Sequence, residues 1–156
     1  CDDVYWEWER NKMKRRIRID EVAHICVIVK DVEKAVKLVE SVFEVPPIRI
    51  EEIESTARME GKDVGVYKLK LAMVKIAKNM DLELLQITEG KSVEQDWLKR
   101  HGETIHHIAV MVDDLEKEAS KWEEKGLRIL QEDRGKWIYL DTERILGLNV
   151  ELVPVS

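Results

Sequence analysis

The chain is short of the residues that staple or break a fold. Its 156 residues include two cysteines, three prolines and one phenylalanine. Cys1 stands at one end and Cys26 within an apolar stretch. That placement argues against a structural disulfide and fits a reducing compartment. No apolar run approaches the roughly 20 residues of a membrane span, so no membrane partner is expected. A basic excess is missing too. The net charge is -6, whereas a nucleic-acid binder needs a broad basic face. The one basic run, Lys12 to Arg18, is short, lies beside acidic residues and reads as a solvated face. Asn and Gln are scarce while Lys, Glu, Ile and Val abound, a pattern of proteins from hot environments. The opening CDDVYWEWER is acidic and aromatic, unlike a secretory leader. A cytoplasmic protein is expected.

What is present is a core and a rhythm. Apolar residues make up 44% of the chain, enough for one domain. Residues 1–18 read as an N-terminal extension whose Tyr5, Trp6 and Trp8 either pack on the body or on a partner subunit, which is the expectation, or belong to a poorly ordered arm. Glu21 to Val29 is β-branched and apolar, as in a buried strand. Asp31 then caps a helix whose Val32, Val36, Val39 and Phe43 recur at helical spacing, until Pro46-Pro47 turns the chain. Ile48 to Ile53, Val66 to Ala77 and Asp81 to Ile87 read as extended, and Glu54 to Gly65 as a charged loop or hairpin. Ser92 and Gln95 form a capping box for a linking helix that Gly102 stops. Thr104 to Val112 reads as a strand. Asp114 caps a helix with Leu115, Ala119 and Trp122 as its buried stripe, and Gly126 ends it. Leu127 to Leu130, Lys136 to Leu140 and Leu148 to Val153 are three further strands.

The rhythm is a repeat. HICVIVKDVEKA, starting at His24, returns as HIAVMVDDLEKE, starting at His107. About half the aligned positions are identical, too many for chance agreement of two strand–helix units. The modules also end alike, with DLELLQ from Asp81 and NVELVP from Asn149 setting Glu83 and Glu151 at equivalent places. The predicted order is βαβββ over 19–90, a linking helix over 91–102, and βαβββ over 103–156. The fold class is therefore α+β.

Each module sets one histidine on its first strand and one glutamate on its last. Strand side chains alternate faces. His24 shares a face with Cys26 and Ile28, His107 with Ala109 and Met111, while Leu82, Leu84, Val150 and Leu152 point the other way. An unpaired carboxylate among apolar neighbours costs several kcal/mol. Two of them, with two histidines at equivalent places, call for a shared partner. A divalent cation fits, because imidazole nitrogen and carboxylate oxygen suit Zn, Ni, Co, Fe or Mn. His24, Glu83, His107 and Glu151 are the expected ligands, leaving two octahedral positions for water or a bidentate substrate. His106 is expected on the opposite face. His101 suits a helix C-terminus, and Cys26 reads as packing.

The phrases AHICVIVKDVEKA, MDLELLQI, SVEQDWLKRHG, ETIHHIAVMVDDLEK and IYLDTERILGLNVELV resemble the vicinal oxygen chelate superfamily, which holds glyoxalase I, methylmalonyl-CoA epimerase, extradiol dioxygenases and bleomycin-resistance proteins. The similarity spans Ile19 to the C-terminus, and GETIHHIAVMVDDLE looks most like the epimerase and its glyoxalase-like relatives. The resemblance implies paired modules forming a cupped, barrel-like mixed sheet with helices outside. It implies one metal on His24, Glu83, His107 and Glu151. It also implies a base, Glu151 first and Glu83 second, that removes a proton beside a thioester or hemithioacetal carbonyl. The epimerase takes a second carboxylate from the third strand of its first module. Here that region reads AMVKIAK and offers Lys75 instead, so Glu83 would have to serve the second face. The alternatives are a ring-cleaving dioxygenase and a small-molecule binding protein of the same fold. Members of the fold commonly dimerise, and a homodimer is expected.

Overall fold

The computed structural model describes residues 16–155. Tyr5, Trp6, Trp8 and Cys1 lie outside the described residues, as does most of the expected N-terminal extension. Eight strands and four helices follow in the order β1 (Val22–Ile28), α1 (Val32–Val42), β2 (Ile50–Met59), β3 (Lys62–Ala77), β4 (Met80–Glu89), α2 (Val93–His101), β5 (Thr104–Val112), α3 (Leu115–Glu124), β6 (Ile129–Asp133), β7 (Trp137–Leu140), α4 (Glu143–Leu146) and β8 (Asn149–Pro154). The strands close into a barrel in the order β1-β4-β3-β2-β6-β7-β8-β5. Each βαβββ unit supplies four consecutive staves. β1 pairs parallel with β4, and β5 parallel with β8. The units meet where β1 lies antiparallel to β5 and where β2 touches β6 at Arg58↔Glu132 and Met59↔Gln131.

The helices begin where the sequence predicts. Asp31, Ser92 and Asp114 accept from the amides of Lys34, Gln95 and Lys117 at 3.0, 3.2 and 3.1 Å. Such caps satisfy amides that have no partner inside the helix. Outside the barrel, α1 lays Val32 and Val36 on Ala72, Val74 and Leu84. α3 lays Leu115, Ala119 and Trp122 on Val110, Val150 and Leu152. The third cluster lies within the barrel. There α2 packs Trp97 with Cys26, Ile28, Tyr67, Leu69 and Leu85. Alternation along β4 and β8 thus sends Leu84, Val150 and Leu152 to the helices and leaves Glu83 and Glu151 facing in.

One open reading is resolved, and one element is added. The charged segment Glu54–Gly65, read as a loop or hairpin, is the tip of a long hairpin, β2 and β3 continuing to a tight turn at Glu60 (φ 50°) and Gly61 (φ 80°). Positive φ at both turn residues matches the twist of a tight hairpin. The strand period is masked in the sequence because its buried positions, Ser55 and Ala57, are small. The short helix α4 lies outside the expected elements. It is a single turn ended by Gly147 in the left-handed conformation.

Candidate metal centre

β1 and β5 form the seam on which both histidines ride, and their register slips twice. Val22 and His24 pair with Val110 and Ala109, which leaves Ala23 as an extra residue. Cys26 and Val27 pair with His107 and Ile105, which leaves His106 extra. Ala23 and His106 hold equivalent places in the two copies, each directly before the histidine that opens the repeat. The bulge was therefore duplicated with the strand. A bulge bends its strand and re-aims the neighbouring side chain.

All four predicted residues come together inside the barrel. His24 Nε2 lies 3.7 Å from Glu83 Oε1. His107 Nε2 lies 3.8 Å from the same oxygen and 3.3 Å from Glu151 Oε2. The two imidazole centroids are 5.5 Å apart. Donors on one zinc-sized ion at about 2.0–2.2 Å stand about 3–4 Å from one another, a spacing that the His24–Glu83, His107–Glu83 and His107–Glu151 pairs match. Nε2 of His24 and of His107 are both buried without a hydrogen-bond partner. Bare buried nitrogens facing carboxylates, in an N₂O₂ set, fit a divalent cation. His107 is fully buried, whereas the side chains of His24, Glu83 and Glu151 keep 12, 10 and 9% of their exposure. A ligand can reach the cluster from their side only.

Burial shapes the electrostatics. It drives the His107 imidazole well below its usual pKa, with His106 and His24 adding to the effect. His107 is thus held neutral, the form that binds metals. Burial likewise raises the Glu151 carboxyl, and the charge of Glu83 raises it further, against hydrogen bonding by Tyr139. Tyr139 is the cross-strand neighbour of Glu151, and its ring lies 5.0 Å from that of His107.

The bulge corrects the expectation for His106. It does not point away: its Nδ1 and that of His107 are 2.8 Å apart, one donating to the other, and its ring stands edge-on to Trp97 and Tyr139. It is fully buried, and burial pushes its pKa down to about 3. If His107 Nδ1 donates, its Nε2 keeps a lone pair for the site and His106 fixes that tautomer. Lys75 is the edge residue its sequence context suggests, paired with Asp81 at 3.0 Å. His101 ends α2, where its Nε2 meets Glu143 Oε1 at 2.9 Å. Two further polar residues escape sequence reasoning. Glu94, in the first turn of α2, reads as a surface acid, yet it is fully buried and takes a 3.4 Å bond from Gln131 Nε2. Tyr139 looks like an ordinary strand aromatic until its pairing with Glu151 is known.

Residues 23–137 match the sequence profile of the Glyoxalase/Bleomycin resistance protein/Dioxygenase superfamily. The chain belongs to this superfamily. Among curated proteins, none matches it in sequence. Solved structures of the same fold include methylmalonyl-CoA epimerase from Mycobacterium tuberculosis, at 17% identity and TM-score 0.65 over 92% of this chain and 95% of that one. Another is a variant of methylmalonyl-CoA epimerase from Streptomyces coelicolor in complex with 2-nitronate-propionyl-CoA, at 21% identity and TM-score 0.61 over 89% and 96%. A third is a hypothetical protein, BH1468 of Bacillus halodurans C-125, at 19% identity and TM-score 0.59 over 87% and 94%. At these identities the superfamily fold is what is shared. Among the described residues, no helix is long and apolar enough to cross a membrane.

Proposed function

We propose that this superfamily member is a metal-dependent isomerase or lyase that moves a proton beside a thioester or hemithioacetal carbonyl. The observation that carries the reading is the approach of two bare, buried imidazole nitrogens and two carboxylates to within 3.3–3.8 Å inside the barrel, with His107 facing both carboxylates. His24, Glu83, His107 and Glu151 would hold the cation. Bound there, a divalent ion supplies Lewis-acid stabilisation of negative charge on two adjacent substrate oxygens, at roughly 1.4 kcal/mol per tenfold in rate.

The chain's own residues do the rest. Glu151 takes the proton from the carbon beside the carbonyl. Tyr139 orients that carboxylate. Burial keeps His107 neutral, and His106 holds its ring in place through the Nδ1 contact. Trp97 and the apolar residues around it keep bulk water from the barrel. Return of the proton to the neighbouring carbon is glyoxalase chemistry; return to the opposite face is epimerisation. The inner face of β3 offers Tyr67, Leu69 and Leu71 and no acid, so an epimerase here uses Glu83 as its second carboxylate.

Deuterium exchange from solvent separates the versions. Exchange into methylmalonyl-CoA supports the epimerase, and turnover of methylglyoxal–thiol adducts the glyoxalase. Neither reaction, in protein shown by elemental analysis to carry about one divalent ion per chain, removes both.

A further inference from the structure

The pseudo-twofold that relates the modules is broken beside the cluster, and one of the breaks places a thiol there. In the second module, Ala109 lies between Glu151 on β8 and His24 on β1, as cross-strand neighbour of both. Its counterpart in the first module is Cys26, cross-strand neighbour of Glu83 on β4 and of His107 on β5. Where the second module has a methyl group, the first has a thiol. Cys26 is fully buried and free. Its Sγ, a Glu83 oxygen and a His107 nitrogen all lie within 4.8 Å of one another. The His107 Nε2 has no hydrogen-bond partner and its side chain is wholly buried. A second triad, His24, His107 and Glu151, meets the same limit. Two overlapping donor sets therefore share His107.

We infer that Cys26 is a metal ligand, giving a thiolate to thiophilic divalent ions held with Glu83 and His107. This role rests on the metal site proposed above and adds a donor to it. A zinc–sulfur bond of about 2.3 Å beside nitrogen and oxygen bonds of about 2.0–2.2 Å puts sulfur about 3–4 Å from the other donors, within one side-chain rotation of the observed limit. On binding, the thiol proton leaves to solvent and the sulfur lone pair takes its place on the ion. Soft sulfur favours zinc, cobalt and cadmium, whereas magnesium and manganese keep to the harder oxygen and nitrogen set. The choice of ion would then select between the two triads.

Cobalt(II) makes the test. Chain stripped with chelator is loaded with cobalt and read for cobalt content and for a thiolate-to-cobalt charge-transfer band in the near ultraviolet. Wild type and Cys1→Ser, which removes the only other thiol, should bind about one ion and show the band. Cys26→Ser and Cys26→Ala should bind cobalt without it, and should lose at least tenfold in affinity for zinc with no comparable loss for manganese. Cobalt bound by wild type without the band overturns the ligand role of Cys26 and leaves the four-residue site standing. A band that survives Cys26→Ala overturns it also. No cobalt binding by wild type overturns both this inference and the metal site beneath it. Should Cys26→Ala fail to fold, the isosteric serine variant and the wild-type spectrum decide.

Discussion

Removing the ion and removing one carboxylate should move stability in opposite directions. Glu83 Oε1 and Glu151 Oε2 both lie within 3.8 Å of one His107 nitrogen, so they stand no more than about 7 Å apart. Two charges at that distance repel by about 2 kcal/mol at an effective dielectric of about 20. The metal-free protein carries this strain or holds a proton to avoid it. An ion present at 100 times its dissociation constant adds about 2.7 kcal/mol to the folded state. At about 2.1 cal/mol/K per residue, a chain of this length has an unfolding entropy of about 0.33 kcal/mol/K. Loading should therefore raise the melting temperature by about 8 °C. Glu83→Gln keeps the shape, removes one charge, and should raise the metal-free melting temperature by up to about 6 °C. The same change should abolish most of the shift on loading.

Differential scanning calorimetry of wild type and Glu83→Gln, each with chelator and with zinc, gives the four numbers. A structural role for Glu83, as a hydrogen-bonded core carboxylate, predicts the reverse: lower stability with and without zinc, by equal amounts. That result would refute the shared-cation reasoning. So would a wild-type melt indifferent to chelation.

His106→Ala should weaken zinc affinity by about 10–100-fold, as loss of a partner that orients a ligating histidine does; competition with a chromophoric chelator measures it, and unchanged affinity would detach His106 from the site. Gly90 has φ 91°, and a Cβ there would meet Tyr67 Cβ at 2.7 Å and its Cα at 2.8 Å. Gly90→Ala should cost at least about 2 kcal/mol, combining the left-handed penalty with a backbone clash, seen as a lower urea midpoint at unchanged slope. Glu143 takes a two-pronged bond from Arg100 (3.1 and 3.2 Å) that, with His101, holds its carboxyl below its usual range. A depressed carboxyl stabilises the fold above its unfolded value and loses that contribution as pH falls through the folded one. Glu143→Gln should destabilise at pH 7 by no more than about 1 kcal/mol, and the gap from wild type should close as the pH drops below about 4; a pH-independent gap contradicts the pairing.

The features that can be read directly are those carried by local chemistry or by the repeat. Asp31, Ser92 and Asp114 announce helix starts because a cap is a contact between near neighbours in the chain. His24, Glu83, His107 and Glu151 can be grouped because the duplication itself implies that equivalent strands meet. What escapes depends on the partner strand. Strict alternation assigns His106 outward, and only the register slip between Cys26 and Val27 turns it inward. Cys26 looks like packing because nothing in the sequence says that Glu83 and His107 flank it. Glu94 at a helix start looks solvated until Gln131 on β6 covers it. Glu54 to Gly65 reads equally as loop or hairpin because small inward residues do not register as an apolar period.

Duplication explains why the donors converge, and the departures from it explain how they can differ. A strict twofold would make Glu83 and Glu151 the same base in the same surroundings. Across from Glu83 the neighbouring strand presents Met73; across from Glu151 it presents Tyr139, with a hydroxyl in reach. Beside His24 the bulge residue is Ala23, with nothing to donate; beside His107 it is His106, bonded through Nδ1. Next to Glu83 lies the Cys26 thiol; next to Glu151 lies the methyl of Ala109. In the proposed reaction, such differences let one carboxylate stay bound while its twin moves the proton. Each pair of symmetry-breaking residues falls beside a ligand of the candidate site. On the proposed function, the Tyr139 and His106 side would favour Glu151 as the mobile base, and the Cys26 side Glu83 as the carboxylate that keeps hold of the ion.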